Sequence, residues 1–373
     1  MHILYVFPEP LPLPRARGLQ VAHFVRALAQ EGAKVTLAYV PSDGGHPFIP
    51  IGHDVPENVT LLPLSRNLLW TRIKSQRFFM WRLAEWLSRQ RKSETAPSVV
   101  FFRHIKAAAY FARKFPNIPF VYEAHEVFAH TAKPSQRARI RLLEAQVLDK
   151  AALLVAISNG AAEGLKRYFK LQKSIVTLPS AVEFPDSLPE KPWATSHLHL
   201  IYAGSLFGWK GVDDLVDALN ILPGFHLTII GGSADQIDRL KKRQTSFGGD
   251  VSFIGYLPYC EVQSALAASC VAVLPNRSDT VSAFTSPLKL FEYMAAGCAI
   301  VASDLPVLHE VLGDDGAVWA QPNDPVSLAK AIRQICERSD GGAFLGGISR
   351  DKVKPHTWRN RGNELIRHIA ALD

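Results

Sequence analysis

The same order of elements occurs twice in this chain of 373 residues. His2-Ile3-Leu4-Tyr5-Val6-Phe7 has the continuous apolar run of a buried strand. A Pro-rich loop follows, then Arg17-Gly18, then Val21, Phe24, Val25 and Leu28 at helical spacing. Gly32 stops that helix, and Lys34 to Tyr39 reads as the next strand. The second half repeats the plan. Leu198 to Gly204 is a strand, Gly208-Trp209-Lys210-Gly211 a tight loop, Val212 to Leu222 a helix, and Phe225 to Gly231 a strand. Even the segments ALAQEGAKVTLAY and ALNILPGFHLTIIG look alike. Strand, loop and helix in alternation build a parallel sheet with its functional loops at the carboxyl ends of the strands. The expectation is α/β, with two Rossmann-like domains. Further strands fit at Val99–Phe102, Phe120–Ala124, Leu153–Ile157 and Ile175–Leu178, then at Val251–Gly255, Val271–Leu274 and Ala299–Ala302.

Size agrees, since the chain exceeds what one hydrophobic core normally supports. Residues 179–193 lack periodicity and repeat proline, which is linker composition. The expected division is a first domain over 1–180, a linker over 181–197 and a second domain over 198–357. Trp358 to Leu372 is amphipathic, and the segment 358–373 is expected to form a last helix. The formal net charge of +8 is uneven. Residues 1–180 hold 25 Lys and Arg against 12 Asp and Glu, and the remainder holds 17 against 22. The first half is therefore the candidate for an anionic partner. No apolar run is long enough for a bilayer and the first strand follows Met1 directly, so a cytoplasmic protein without a signal peptide is expected. Cys260, Cys270, Cys298 and Cys336 are scattered without metal-ligand spacing and read as buried thiols, and no metal or cofactor is expected.

Two segments of the second half carry chemistry. In TSPLKLFEYMAAGCAIVASDLP, Thr285 and Ser286 lead into a helix, with Pro287 in its first turn. Leu288, Phe291, Met294 and Ala295 give the helix a buried face, and Gly297 ends it before the strand Ala299–Ala302. Such a helix start holds phosphate oxygens, here through Ser286 and the N–H groups of Thr285, Ser286 and Leu288. Ser286 is equally read as an ordinary N-cap. Glu292, in the second turn, is placed to hold sugar hydroxyls. Lys289 is either a second diphosphate contact or a solvent-facing residue. In AGSLFGWKGVDDL, Lys210 can neutralise a diphosphate as a point charge.

These segments resemble the nucleotide-binding signature of the family 4 retaining glycosyltransferases, which have the GT-B fold of two Rossmann-like domains facing each other across a cleft. The resemblance implies that Glu292, the second glutamate of a pair eight positions apart, contacts the ribose of a nucleotide-sugar; Phe284 stands where the first belongs. It implies that Lys210 holds the leaving diphosphate, with Ser205 where the family has an arginine. His125, closing the Phe120–Ala124 strand, resembles the histidine that approaches the donor sugar; Glu123 and Glu126 beside it read as ordinary surface carboxylates. Gly18 matches a glycine that lets backbone approach the sugar phosphate, or else it serves a turn. Ser158 matches a serine that caps the next helix. The last helix is expected to return to the first domain. The implied activity is metal-independent, retaining transfer of a sugar from a nucleotide-sugar to an acceptor hydroxyl. Two rivals stand beside it: a nucleotide-sugar epimerase, and a non-catalytic binding protein that the changes at Phe284 and Ser205 would suit.

The acceptor is not legible residue by residue. Leu68 to Lys92 interleaves Trp70, Phe78, Phe79, Trp81 and Trp86 with Arg72, Lys74, Arg77, Arg82, Arg89, Arg91 and Lys92. Such a helix either lies on an anionic bilayer, pointing to a lipid-linked or membrane-borne acceptor at the inner face of the membrane, or packs on the core with a solvated basic face. No nucleic-acid recognition motif accompanies the charge.

Overall fold

The computed structural model describes residues 1–65, 76–90, 96–193, 199–245, 248–340 and 342–372. It divides into two compact units: Met1–Pro179 with Trp358–Asp373, and Ser180–Thr357.

The sheet of unit 1 is built from β1 (His2–Leu11), β2 (Lys34–Pro41), β3 (Val59–Pro63), β4 (Val99–Phe102), β5 (Phe120–Ala124), β6 (Leu153–Ala156) and β7 (Val176–Thr177). Their order is β3-β2-β1-β4-β5-β6-β7, and neighbouring strands pair in parallel. Ile3 lies opposite Val35 on one side and Val99 on the other. Covered on both faces, these strands are near-continuous apolar runs, which is why they stood out in the sequence. The chain order reverses at β1, so the loop between β1 and Gly18 lies at the sheet's switch point, where doubly wound folds bind ligands.

In unit 2 the strands are β8 (His199–Ala203), β9 (His226–Ile230), β10 (Asp250–Gly255), β11 (Val271–Leu274), β12 (Ala299–Ser303) and β13 (Val318–Ala320), ordered β10-β9-β8-β11-β12-β13. Alternate residues feed two cores. Leu200, Tyr202, Leu227, Ile229, Val271 and Val273 enter one, and Ile201, Ala203, Ile230, Ala272 and Leu274 the other. The switch point is β8, and the loop holding Ser205 and Lys210 leaves its carboxyl end.

β3 and β13 are not among the expected strands, and β1 runs beyond the expected Phe7 to Leu11, its pairing with β2 shifting register between Phe7 and Pro10. The segment expected as a linker packs on unit 2 as far as it is described. Ala181 and Val182 are buried, Val182 N–H donates to His356 O at 3.0 Å, and Trp193 packs on a core. Its prolines forbid regular structure without forbidding burial; residues 194–198 lie outside the described residues. The Trp358–Ala370 helix lies along the Ala16–Gln30 helix. A Cβ on Gly362 would come within 3.1 Å of the Ala27 backbone, so the two helices approach closely at this glycine. Ser158 caps its helix, accepting the Ala161 N–H at 3.1 Å. Of the cysteines, Cys270, Cys298 and Cys336 are buried, but Cys260 is exposed at a helix start.

Candidate functional site

In unit 2 the Leu288–Ala295 helix is pinned against the end of β8. Tyr293 Oη accepts the Ala203 N–H at 2.8 Å and donates to Ala203 O at 3.3 Å. One turn earlier on the same helix face, Lys289 therefore reaches the residues that follow. Its Nζ donates to Tyr202 Oη at 2.5 Å and lies 3.9 Å over that ring. Tyr202 Oη in turn donates to Ser205 O at 2.7 Å. Lys289 is thus buried, contrary to the solvent-facing alternative.

Lys210 is held by the loop in front of it. Gly211 has φ +69°, and a Cβ there would meet Pro275 O at 1.7 Å, so the backbone after β11 presses directly on this glycine. Arg277 locks the approach: its N–H donates to Trp209 O at 2.9 Å, and its guanidinium grips both carboxylate oxygens of Asp214, at 2.7 and 2.5 Å. Lys210 Nζ sits 3.7 Å from the Trp209 ring centroid and is buried. Neither Lys210 nor Lys289 has a carboxylate at salt-bridge distance among the described residues. Burial pulls the Lys210 ammonium down to about 7, with Asp279 opposing. Burial, then the nearby Lys210 charge, pulls Lys289 well below the ordinary lysine range, with Glu292 opposing. Glu292, 8% exposed, is pushed up to about 7 by burial against the pull of Lys289. Lys210, Lys289 and Glu292 thus form one electrostatic cluster at the switch point of the second sheet.

The other predicted residues of this site take different places. Pro287, not Ser286, occupies the cap position, and no side chain caps the helix. Ser286 Oγ accepts the Ser180 N–H at 2.8 Å, while Ser286 O accepts from Ser180 Oγ at 2.7 Å. The Thr285 N–H donates to Ser282 O at 3.4 Å. Leu288 is half-buried; the core-facing residues are Leu290, Phe291, Tyr293 and Met294. Phe284 is buried. Two residues escaped the sequence reading. Asn276, directly after β11 and 1% exposed, has neither amide atom hydrogen-bonded, and Ser282 Oγ is likewise buried without a partner. The position of Asn276 just beyond a strand's carboxyl end was the available signal.

Unit 1 assembles its own charged group around His125. Glu123, 2% exposed, is no surface carboxylate. Its Oε1 lies 2.7 Å from His125 Nε2 and 3.1 Å from Arg103 Nε, and its Oε2 accepts from Arg361 at 2.6 Å. Burial alone would raise the Glu123 carboxyl, but Arg361, His125 and Arg103 outweigh it and hold it below the usual carboxylate range. His125, a quarter exposed, is pulled down to about 4 by desolvation and by Arg103, against the pull of Glu123. It is a neutral imidazole near pH 7. Arg103 also donates to Gln20 Oε1 at 2.8 Å, tying β4's end to the first helix. Gly18 sits in that helix with Leu13 O 2.2 Å from where a Cβ would lie, which supplies a packing reason for the glycine. Glu126 accepts the Thr131 hydroxyl at 2.6 Å. Among the described residues no three His, Cys, Asp or Glu side chains gather as a metal-binding group.

On the Gln76–Gln90 helix, Phe79, Met80, Leu83, Ala84 and Leu87 face the core. The core-packing reading holds for that stripe. Trp81, Arg77, Arg82 and Arg89 remain exposed, Phe78 stacks on Trp81 at 5.6 Å, and Trp86 is half-buried. Trp81, Glu85, Arg89, Tyr110 and Lys114 border an open groove of about 630 Å³. Trp70, Arg72, Lys74, Arg91 and Lys92 lie outside the described residues, among which no helix is long and apolar enough to cross a membrane.

Comparison with known proteins matches both units. The family described as Glycosyltransferase Family 4 matches residues 18–184, and that described as Glycosyl transferases group 1 matches residues 197–338. The chain is 23% identical over 249 residues to the O-antigen chain mannosyltransferase B of Escherichia coli, covering 61% of this chain and 64% of that one. It thus spans just under two thirds of that relative's length. Among solved structures it resembles the sucrose-phosphate synthase of Thermosynechococcus elongatus, with a TM-score of 0.79, 18% identity and all of both chains covered. It also resembles Anabaena HepE solved with UDP-glucose, with a TM-score of 0.78, 14% identity and all of both chains covered. At such identities the structures establish the fold, and the family matches establish the kinship: the chain belongs to the group 1, family 4 glycosyltransferases and has their GT-B fold.

Proposed function

We propose that this glycosyltransferase is retaining and moves a sugar from a nucleotide-sugar to an acceptor hydroxyl, with the donor held in unit 2. The observation that carries the reading is Lys210, a buried lysine with no carboxylate at salt-bridge distance among the described residues, coupled through Lys289 to the buried Glu292. A buried charge is costly unless paired, so the site is built for an anion that arrives from solution. A diphosphate supplies the anion, and the ribose attached to it supplies hydroxyls for Glu292. The structure of HepE in complex with UDP-glucose, a nucleotide-sugar held by a protein of this fold, supports the reading. Lys210 then stabilises the departing diphosphate without a metal ion, and the leaving phosphate itself takes the acceptor's proton. His125, its Nε2 2.7 Å from the Glu123 carboxylate that orients it, is assigned to the sugar on the ground of its family resemblance.

Glu292→Ala is expected to weaken nucleotide-sugar binding by about 1.5–3 kcal/mol, the value of a charge-assisted hydrogen bond. Calorimetry against the parent checks it, and unchanged affinity for every nucleotide the parent binds would overturn the assignment. NMR of the product's anomeric configuration tests retention. Phe284 and Ser205, in place of the family's glutamate and arginine, favour a second reading of binding without transfer. Product formation with and without acceptor separates transfer, epimerisation and binding alone.

For the acceptor we propose a membrane-borne glycan or lipid, with the exposed Arg77, Trp81, Arg82 and Arg89 meeting anionic headgroups from the cytoplasmic side. Each basic residue near such a surface contributes about 1 kcal/mol, and salt screens it. In liposome co-sedimentation, binding is expected to require anionic lipid, to fall with added salt, and to weaken when Arg72, Lys74, Arg77 and Arg82 are neutralised. Protein that stays in the supernatant with anionic liposomes at low salt would point to an acceptor in solution.

A further inference from the structure

Lys289 has no explanation as a structural residue. It is buried, yet it makes one side-chain hydrogen bond, to Tyr202 Oη, out of the three an ammonium can donate. It has no ion pair among the described residues, and its neighbour in charge is another buried lysine. The Tyr202 ring under it and the pull of Glu292 offset only part of the cost of burying the charge, since the titration stays well below the ordinary lysine range. The helix is nevertheless fixed to put it there: Tyr293, one turn on, is bonded to both backbone groups of Ala203. The Nζ lies 3.0 Å from where a Cβ on Gly204 would be, and one hydroxyl, that of Tyr202, links it to the Ser205 carbonyl. That is the loop in which the family resemblance calls for an arginine and this chain has serine.

We propose that Lys289 is the second cation of the diphosphate site, entering from the helix start in place of an arginine at position 205. The proposal rests on the reading of unit 2 as the donor site and adds to it the residue that shares the leaving-group charge with Lys210. Burial and their mutual repulsion disfavour charging both amines at once, and a ligand carrying two or more negative charges would draw protons onto both.

The test is calorimetric titration of UDP, GDP and ADP, and of the corresponding nucleosides, into the parent, Lys289→Met, Lys289→Gln and Lys289→Met combined with Ser205→Arg. Lys289→Met removes a buried charge, and Lys289→Gln keeps a donor for Tyr202, so one or both retain the parent's fold, checked by circular dichroism. The diphosphate that the parent binds is expected to bind the single variants roughly 10- to 100-fold more weakly. Nucleoside affinity should stay within twofold, and the arginine at 205 should recover most of the loss. If a folded single variant binds that diphosphate within twofold of the parent, the proposal is wrong while the donor site stands. Equal losses for diphosphate and nucleoside would also overturn it, by showing a general distortion. A parent that binds none of the three diphosphates defeats the donor-site reading itself, and the proposal falls with it.

Discussion

Replacing Arg361 by alanine is expected to destabilise unit 1 by about 3–5 kcal/mol, the cost of removing one partner from a buried ion pair. Arg361 and Glu123 are both nearly inaccessible, and the guanidinium also donates to the carbonyls of Pro179, at 2.7 Å, and Leu178, at 3.2 Å. Its loss strands two carbonyls and leaves Glu123 to Arg103 and His125 alone. The guanidinium lies 4.2 Å from the Phe24 ring centroid, so packing is lost as well. Because Glu123 is held below its ordinary range, its stabilising contribution is present above the unfolded carboxylate value of ~4.3 and is lost as pH falls. The gap between parent and variant should therefore narrow on acidification. Urea unfolding at pH 7 and pH 4 measures both effects. A variant within 1 kcal/mol of the parent at pH 7, or a gap that widens in acid, would contradict this account.

Lys210→Ala is expected to lower kcat about 10²-fold, comparable with losing one preorganised group that stabilises a developing anion. The charge matters most as the diphosphate departs, so the rate should suffer more than the fold. Removing a buried ammonium that lacks an ion pair leaves the melting temperature near the parent's or raises it. The pH profile carries a second signature. With its titration near 7, Lys210 loses its proton in the free enzyme as pH rises, so kcat/KM should fall on the alkaline side. In Lys210→Ala that limb should vanish. Steady-state rates within twofold of the parent, or an unchanged alkaline limb, would remove Lys210 from the reaction.

The elements on which the site rests were legible because buried parallel strands are written as unbroken apolar runs. Val99–Phe102, Phe120–Ala124 and Val271–Leu274 stood out in this way. Val318–Ala320 did not, because three residues are too short a run to stand out, and neither did Val59–Pro63, five residues interrupted by Thr60 and ended by proline. Glycine marked the Lys210 loop, but the need for Gly211 comes from Pro275 O, which lies against it and is remote in sequence. Charge was the least readable property. Lys289 and Glu123 are surface residue types by composition, and both are buried by partners remote in sequence, Tyr202 for one and Arg361 for the other. Nothing within a few residues of either announces the partner. The linker misled for a related reason: proline reports backbone regularity, whereas Val182 and Trp193 report burial.

The return of the Trp358–Ala370 helix to unit 1 makes the earlier-synthesised of the two units the later to be finished. Its strands and the Glu123 carboxylate are synthesised early, but the counter-charge at Arg361 arrives only after all of residues 180–357 have been made. Until then a nascent unit 1 carries an under-compensated acid in its interior and an uncovered face at His23, Phe24 and Ala27, while unit 2 already has every residue it needs. Folding during synthesis should therefore run against chain order, with unit 2 consolidating first and the closing helix converting a loosely held unit 1 into its final state. Chains stalled before position 358 would show a protease-resistant second domain joined to a protease-sensitive first one.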